Sequence, residues 1–280
     1  MKTSEKQSGS AALRAFTVLE AVIRADKPVS LDEVVSACHL PKPTAYRTLV
    51  MLEQAGMLLR EPGSKRYTAG SRLSTFALEV LMNSIVRAPA HMILQRLVDE
   101  IGETCNVTML DGNAVVYLDR VETPSPLRLN LQPGSHVPLH CTSTGKLLLS
   151  QLSRSQRQKL IGNGPLPRYT EKTITDVNLL EQELERFATD QVATNNEEFH
   201  VGMIGVAVPI LDRNRHTCAS LALQAPVVRM TLDQALQHLP TLKLASRALS
   251  DAYFEEAPTA LDKEGNAQLT SARSHDLVQS

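Results

Sequence analysis

No tryptophan occurs among the 280 residues, and aromatic side chains make up only 4% of the chain. A core with so few rings must rest on aliphatic packing, which the 42% hydrophobic content can supply. Cysteine is scarce too: Cys38, Cys105, Cys141 and Cys218 stand singly, with no CxxC pair and no histidine at zinc spacing. This excludes a disulfide framework and a zinc ribbon, and it reads as four buried, reduced thiols. No apolar run approaches the roughly 20 residues that span a bilayer, and the opening MKTSEKQSGS lacks an apolar signal core. A cytoplasmic chain with no membrane partner is expected. P-loop, GxSxG and HExxH patterns are all missing. Glu197 and Glu198 are neighbours, so on a strand they face opposite ways and cannot form an acid–base pair. His140 beside Cys141 is badly placed for thiolate activation. Neither catalysis, a cofactor nor a metal is expected.

A large excess of one charge is also missing, since the formal net charge is −1. The balance hides an asymmetry: residues 1–70 hold ten basic and seven acidic side chains, and the remainder nineteen and twenty-three. A mildly basic head on a mildly acidic body suits a polyanion-facing end.

That head is built of short elements. Residues 1–9 read as a disordered arm. SAALRAFTVLEAVIRAD places Leu13, Phe16, Leu19, Val22 and Ile23 at helical spacing, with Ser10 as a cap, and KPV breaks it. SLDEVVSACHL opens on Ser30 with Glu33 three residues later, a capping box. PKPTAYRTLVMLEQAG reads as a third helix stopped by Gly56. MLLREPGSKRYTAG then reads as a hairpin around EPGS. Three helices and a hairpin within 10–70 describe a winged helix-turn-helix.

With Leu49 pointing inward and about 100° per residue, Ala45 and Leu52 share its side of the third helix, while Pro43, Thr44, Arg47 and Gln54 fall opposite. Pro41 and Pro43 are tolerated because first-turn N–H groups lack helical partners. The exposed turn therefore carries Lys42, Pro43, Thr44, Tyr46 and Arg47, residue types that suit guanine edges, thymine methyls and phosphates of double-stranded DNA. Lys65 and Arg66 on the wing suit the neighbouring backbone.

Residues 71–87 read as an apolar linker helix that packs on a second subunit. From 88 to 255 the pattern becomes helix, strands, helices, strands, helix. APAHMILQRLVDEIGE is a helix, CNVTMLDGNAVVYLDRVE a hairpin around Asp111-Gly112, and LRLNL a further strand. TSTGKLLLSQL and TDVNLLEQELERFATD are helices. A strand runs into TNNEE, IGVAVPIL and CASLALQ pair around DRNRH, and a last helix is kinked or split at Pro240. The fold class is α+β with a largely antiparallel sheet, and 256–280 reads as a polar, disordered tail.

The strings LPKPTAYRTLVMLEQAGML, YTAGSRL, GETCNVTMLDGNAVVYLDRVE, GSHVPLHCTSTGKLLL, GPLPRYTEKTIT, NNEEFHVGMIGVAVPI and LALQAP, in this order over about 245 residues, resemble the IclR family of bacterial transcriptional regulators. The resemblance implies a winged-helix domain, a linker helix, a GAF-like effector domain, and a homodimer or a dimer of dimers on operator DNA. It also implies a small organic-acid effector that alters DNA binding.

The HCTSTGK stretch supports an effector site on its own terms. A helix start there exposes N–H groups and the positive dipole end at Ser143, Thr144 and Gly145, which suits a carboxylate. Plain capping by Thr142 or Ser143 is the competing reading. The resemblance places Asn195, Met203, Gly205, Ala222 and Gln224 on the opposite wall, with Leu129 and Val137 as apolar lining. It also marks departures: relatives that bind glyoxylate and pyruvate carry Asp at the Asn195 position and Ser at the Ala222 and Gln224 positions. Gly205 is expected to leave room for a larger ligand. Two other readings are a winged-helix regulator that responds to cysteine oxidation and a winged-helix protein-interaction module.

Overall fold

Ser10 and Ser30 begin helices as their positions predict. The computed structural model describes residues 10–25, 27–127 and 131–254. The arm at 1–9, the tail at 256–280, Leu129 and the middle of the strand expected over LRLNL lie outside them. The chain divides into two compact units between Asn83 and Ser84.

In the first unit, α1 (Ala11–Ile23) is capped by the Ser10 hydroxyl, which accepts from Leu13 N–H. α2 (Leu31–Cys38) starts on the Ser30/Glu33 capping box and ends on His39 in the left-handed region. α3 spans Lys42–Gln54 with Pro41 at its N-cap. Strands β1 (Leu58–Arg60) and β2 (Tyr67–Ala69) pair antiparallel, and an isolated bridge joins Val29 to Tyr67 of β2. Val18, Val22, Val34, Leu49, Leu52, Leu58 and Tyr67 form the core. Gly70 has no alternative, because a Cβ there would overlap the Gly56 carbonyl. The helix expected over 71–87 is interrupted: α4 covers Ser71–Met82, Asn83 is extended, and α5 begins at Ser84. The apolar pattern runs through that break, so periodicity alone does not mark it.

The second unit is a six-stranded sheet, antiparallel at every described pairing, in the order β5-β4-β3-β8-β7-β6. Its strands are β3 (Thr104–Asp111), β4 (Ala114–Val121), β5 (His136–Val137), β6 (Ala193–Asn196), β7 (Met203–Leu211) and β8 (Thr217–Pro226). α6 (Ser143–Ser150), a polar α7 (Arg154–Ile161) absent from the sequence reading, and α8 (Val177–Asp190) join a core with Val115, Tyr117, Ala207 and Ala222 on one face. α5 (Ser84–Ile101), α9 (Leu232–Gln237) and α10 (Leu239–Phe254) cover the other face. The terminal helix breaks at His238, which places Pro240 in the first turn of α10, where its missing N–H costs nothing. Every residue of α6 is buried.

Candidate nucleic-acid face and candidate effector site

On α3, Ala45, Leu49 and Leu52 are buried, while Lys42, Pro43, Tyr46 and Arg47 are exposed and Thr44 is half-buried. Among the described residues Arg47 has no hydrogen-bond or ion-pair partner, and neither has Lys65, which sits on the wing turn at φ 55°. Lys42 reaches Asp32 at 2.6 Å, but both side chains are mostly exposed, so this pair is readily exchanged for a phosphate. Arg66 differs from expectation. Its guanidinium donates to Glu33 at 2.9 Å and to the Pro28 carbonyl at 2.8 Å. Glu33 also accepts from Ser30 N–H at 2.6 Å, and this bond leads the causes that hold its carboxyl below the usual range. Arg66 thus ties the root of the wing to the start of α2, through a partner 33 residues away that no local pattern reveals.

In the second unit α6 starts with Thr142 capping Gly145 N–H at 3.1 Å. The Ser143 and Thr144 N–H groups have no acceptor among the described residues. Gly145 packs so closely on Leu139 that a Cβ would overlap its backbone, which fixes where the helix starts. Lys146, 0% exposed, donates to Glu198 at 2.6 Å and to Glu183 at 2.8 Å. Burial nevertheless outweighs Lys146 and pushes the Glu198 carboxyl up. Glu197, past the end of β6, turns away to Lys172.

The sheet register gathers most of the expected wall. Asn195, Gly205 and Gln224 pair across β6, β7 and β8 in one row, which ends on Thr104 of β3. The next row is Ala193, Ala207, Ala222, Asn106 and Arg120, and beyond it Ser220, Thr108 and Tyr117 are cross-strand neighbours. Met203 is one step to the other side, opposite Pro226. Gly205 leaves no extra room, because Ser143 Oγ lies 2.8 Å from where a Cβ would stand. Asn195 Oδ1 accepts from Glu198 N–H at 2.8 Å and so shapes the turn. Gln224 is engaged twice: it accepts from Arg120 at 3.0 Å and donates to Tyr117 at 3.0 Å. Val137 is buried in the core, and its other side borders a separate cleft of about 580 Å³ with His136, His140, Tyr169 and Phe199.

Sequence reasoning missed the residues between these. Asn106, Thr108, Ser220 and Thr144 are at most 1% exposed, yet both side-chain heteroatoms of Asn106 and all three hydroxyls lack a hydrogen-bond partner among the described residues. The signal was present as polar residues alternating with apolar ones in CNVTM, but only the register shows which face they share. The thiols also depart from expectation: Cys105 and Cys141 are buried, but Cys38 and Cys218 are half-buried. Burial raises all four, Cys141 to about 12 and Cys218 to about 11, which disfavours the thiolate that an oxidation sensor needs.

An exposed basic turn on a helix-turn-helix unit, followed in sequence by a separate α+β unit, defines the class of DNA-binding transcriptional regulators that carry a C-terminal effector domain. The chain belongs to the IclR family: the IclR helix-turn-helix domain matches residues 11–62, and the bacterial transcriptional regulator IclR C-terminal domain matches 78–251. It is 47% identical to "Probable transcriptional regulator SauR" of Cupriavidus necator, over 89% of this chain and 98% of that one. The Thermotoga maritima IclR crystal structure aligns at TM-score 0.57 and 28% identity, over 86% and 98% of the two chains. An IclR homolog from Microbacterium hydrocarbonoxydans, complexed with 4-hydroxybenzoate, shares the fold at TM-score 0.56 and 22% identity, over 87% and 99%. The relatives are regulators, and the family is not enzymatic.

Proposed function

We propose that the protein binds operator DNA through the first turns of α3 and the wing, and that a small organic acid held at the start of α6 changes that binding. Lys42, Thr44, Tyr46, Arg47 and Lys65 make the DNA face, with Arg47 reading a base or phosphate and Lys65 a phosphate. The observation that carries the effector half is the buried start of α6. Two uncommitted N–H groups and the dipole sit there beside Ser143 and Gly205, within a polar floor. The 4-hydroxybenzoate complexed with the Microbacterium homolog, an aromatic carboxylate, is chemically compatible with such a start. Phe76 and Val80 lie exposed one turn apart on α4 and Phe16 on α1, which supports assembly as a homodimer, or a dimer of dimers, in the cytoplasm.

A titration of the purified chain against DNA from just upstream of its own gene, with a shuffled duplex as control and a panel of organic acids, tests this reading. Specific binding is expected to exceed random binding by about 10³-fold at near-physiological salt. At least one acid is expected to shift it, and that acid's own affinity must then depend on DNA. Equal, weak binding to both duplexes would remove the operator reading.

A further inference from the structure

Five of the eight buried side-chain polar atoms without a hydrogen-bond partner among the described residues belong to Asn106, Thr108, Ser220 and Thr144. Asn106 and Thr108 alternate on β3, Ser220 is the cross-strand neighbour of Thr108, and Arg120 is the cross-strand neighbour of Asn106. Facing neighbours of this kind share a side of the sheet, here the side of Ala207 and Ala222 that packs with α6. Tyr117 leaves β4 in the row of Thr108 and bonds Gln224 in the row of Thr104. Its ring therefore crosses β3 beside Asn106. Arg120 meets the same Gln224, with its side chain 2% exposed. A buried polar atom without a partner is costly, about 1–3 kcal/mol each, and native interiors hold few of them. Three residues on one face of the sheet, with Thr144 on the helix that packs against that face, concentrate five such atoms.

We propose that Asn106, Thr108 and Ser220, with Thr144, hold the effector, and that the effector is a small hydroxylated acid. The inference deepens the effector reading above and rests on it. The donor inventory sets the class. Three hydroxyls, the Asn106 amide N–H groups and the N–H groups of Ser143 and Thr144 all offer hydrogens, beside an Arg120 already paired with Glu122 at 3.3 Å. A ligand rich in acceptor oxygens and negatively charged satisfies them. Asn106 Oδ1 asks for the reverse, a hydrogen from the ligand, since a carbonyl oxygen only accepts. A hydroxyl supplies it. An ammonium would supply it too, but the donors gathered there would face it with their hydrogens, and the carboxylates are already taken, Glu198 and Glu183 by Lys146 and Glu122 by Arg120.

The full-length protein serves for the test, in two arms. In the first, the melting midpoint of the ligand-free protein is measured for wild type, Thr108→Val and Ser220→Ala. Removing a hydroxyl that has no partner is expected to leave the midpoint level or raise it, whereas a fall of several degrees would show these groups to be satisfied structural residues and overturn the proposal. In the second, calorimetry compares glycolate, lactate, malate and 4-hydroxybenzoate with acetate, propionate, succinate and benzoate. A hydroxylated acid is expected to bind at least about tenfold tighter than its deoxy counterpart, with the preference lost in Asn106→Leu and Ser220→Ala. Equal affinity within each pair, unchanged in those variants, overturns the hydroxy-acid site while leaving effector control intact. DNA affinity that no acid moves would instead sink the effector reading itself.

Discussion

Helices α3 and α6 each set a cation within their first two turns and use it in opposite ways. Arg47 of α3 is exposed and unpartnered among the described residues. Lys146 of α6 is fully buried between two carboxylates. A charge held open at the surface is available to a partner molecule. A charge enclosed and neutralised keeps its own domain in shape, and its worth appears only when one member is removed. Burial together with partner count, more than residue type, separates binding residues from framework residues here. Arg66, expected among the DNA contacts, has two partners yet stays 39% exposed, so it stands between the two groups.

The largest effect expected from breaking this contrast is at Lys146. Lys146→Met leaves Glu198 buried without its cation and should cost about 3–5 kcal/mol in denaturant unfolding. A double variant with Glu198→Gln should recover part of that loss, and no recovery would mean that packing of the lysine stem dominates. Next comes Arg47→Ala, expected to weaken operator binding by about 1–3 kcal/mol if Arg47 reads a base, with less loss on random DNA. Equal loss on both would make it a phosphate contact. Lys65→Ala should lower the salt slope of binding by about one unit. Arg66→Ala should leave that slope alone and lower the unfolding midpoint slightly, and the opposite pattern would return Arg66 to the DNA face. The smallest effect concerns His140, whose Nε2–H donates to the Pro167 carbonyl oxygen at 2.9 Å. Burial lowers its pKa from the ordinary 6.5. The unfolded chain then binds the proton more readily, so stability present above pH 6.5 declines as pH falls below it. His140→Gln should flatten the urea midpoint between pH 7 and 5 relative to wild type.

The winged-helix unit was legible because its signals are local. Ser30 and Glu33 cap within one turn, Pro41 and Pro43 mark a helix start, and Ala45, Leu49 and Leu52 repeat at helical spacing. Asp111-Gly112 announced the β3–β4 hairpin for the same reason, Gly112 taking a φ of 58°. The start of α6 was placed to within a residue. α7 escaped because RSQRQKLI has no apolar stripe, although its Ser153/Gln156 capping box stood in the sequence. The effector floor was half legible. Asn195, Gly205 and Gln224 meet as the resemblance implied, but Gln224 proved bound on both sides. Asn106, Thr108 and Ser220 become neighbours only through a register joining residues more than a hundred positions apart.

α6 has no outer surface. A helix enclosed on every side offers evolution almost no position to vary without disturbing something packed on it, and Gly145 and Lys146 are the tightest cases. The strands beneath are freer in one respect, because the side-chain polar atoms of Asn106, Thr108 and Ser220 have no hydrogen-bond partner among the described residues. If the proposed site holds the effector, exchanging these floor residues would change the ligand recognised while the helix start that meets the acid group stays as it is. That makes these three positions the natural library for turning the protein into a sensor of another compound.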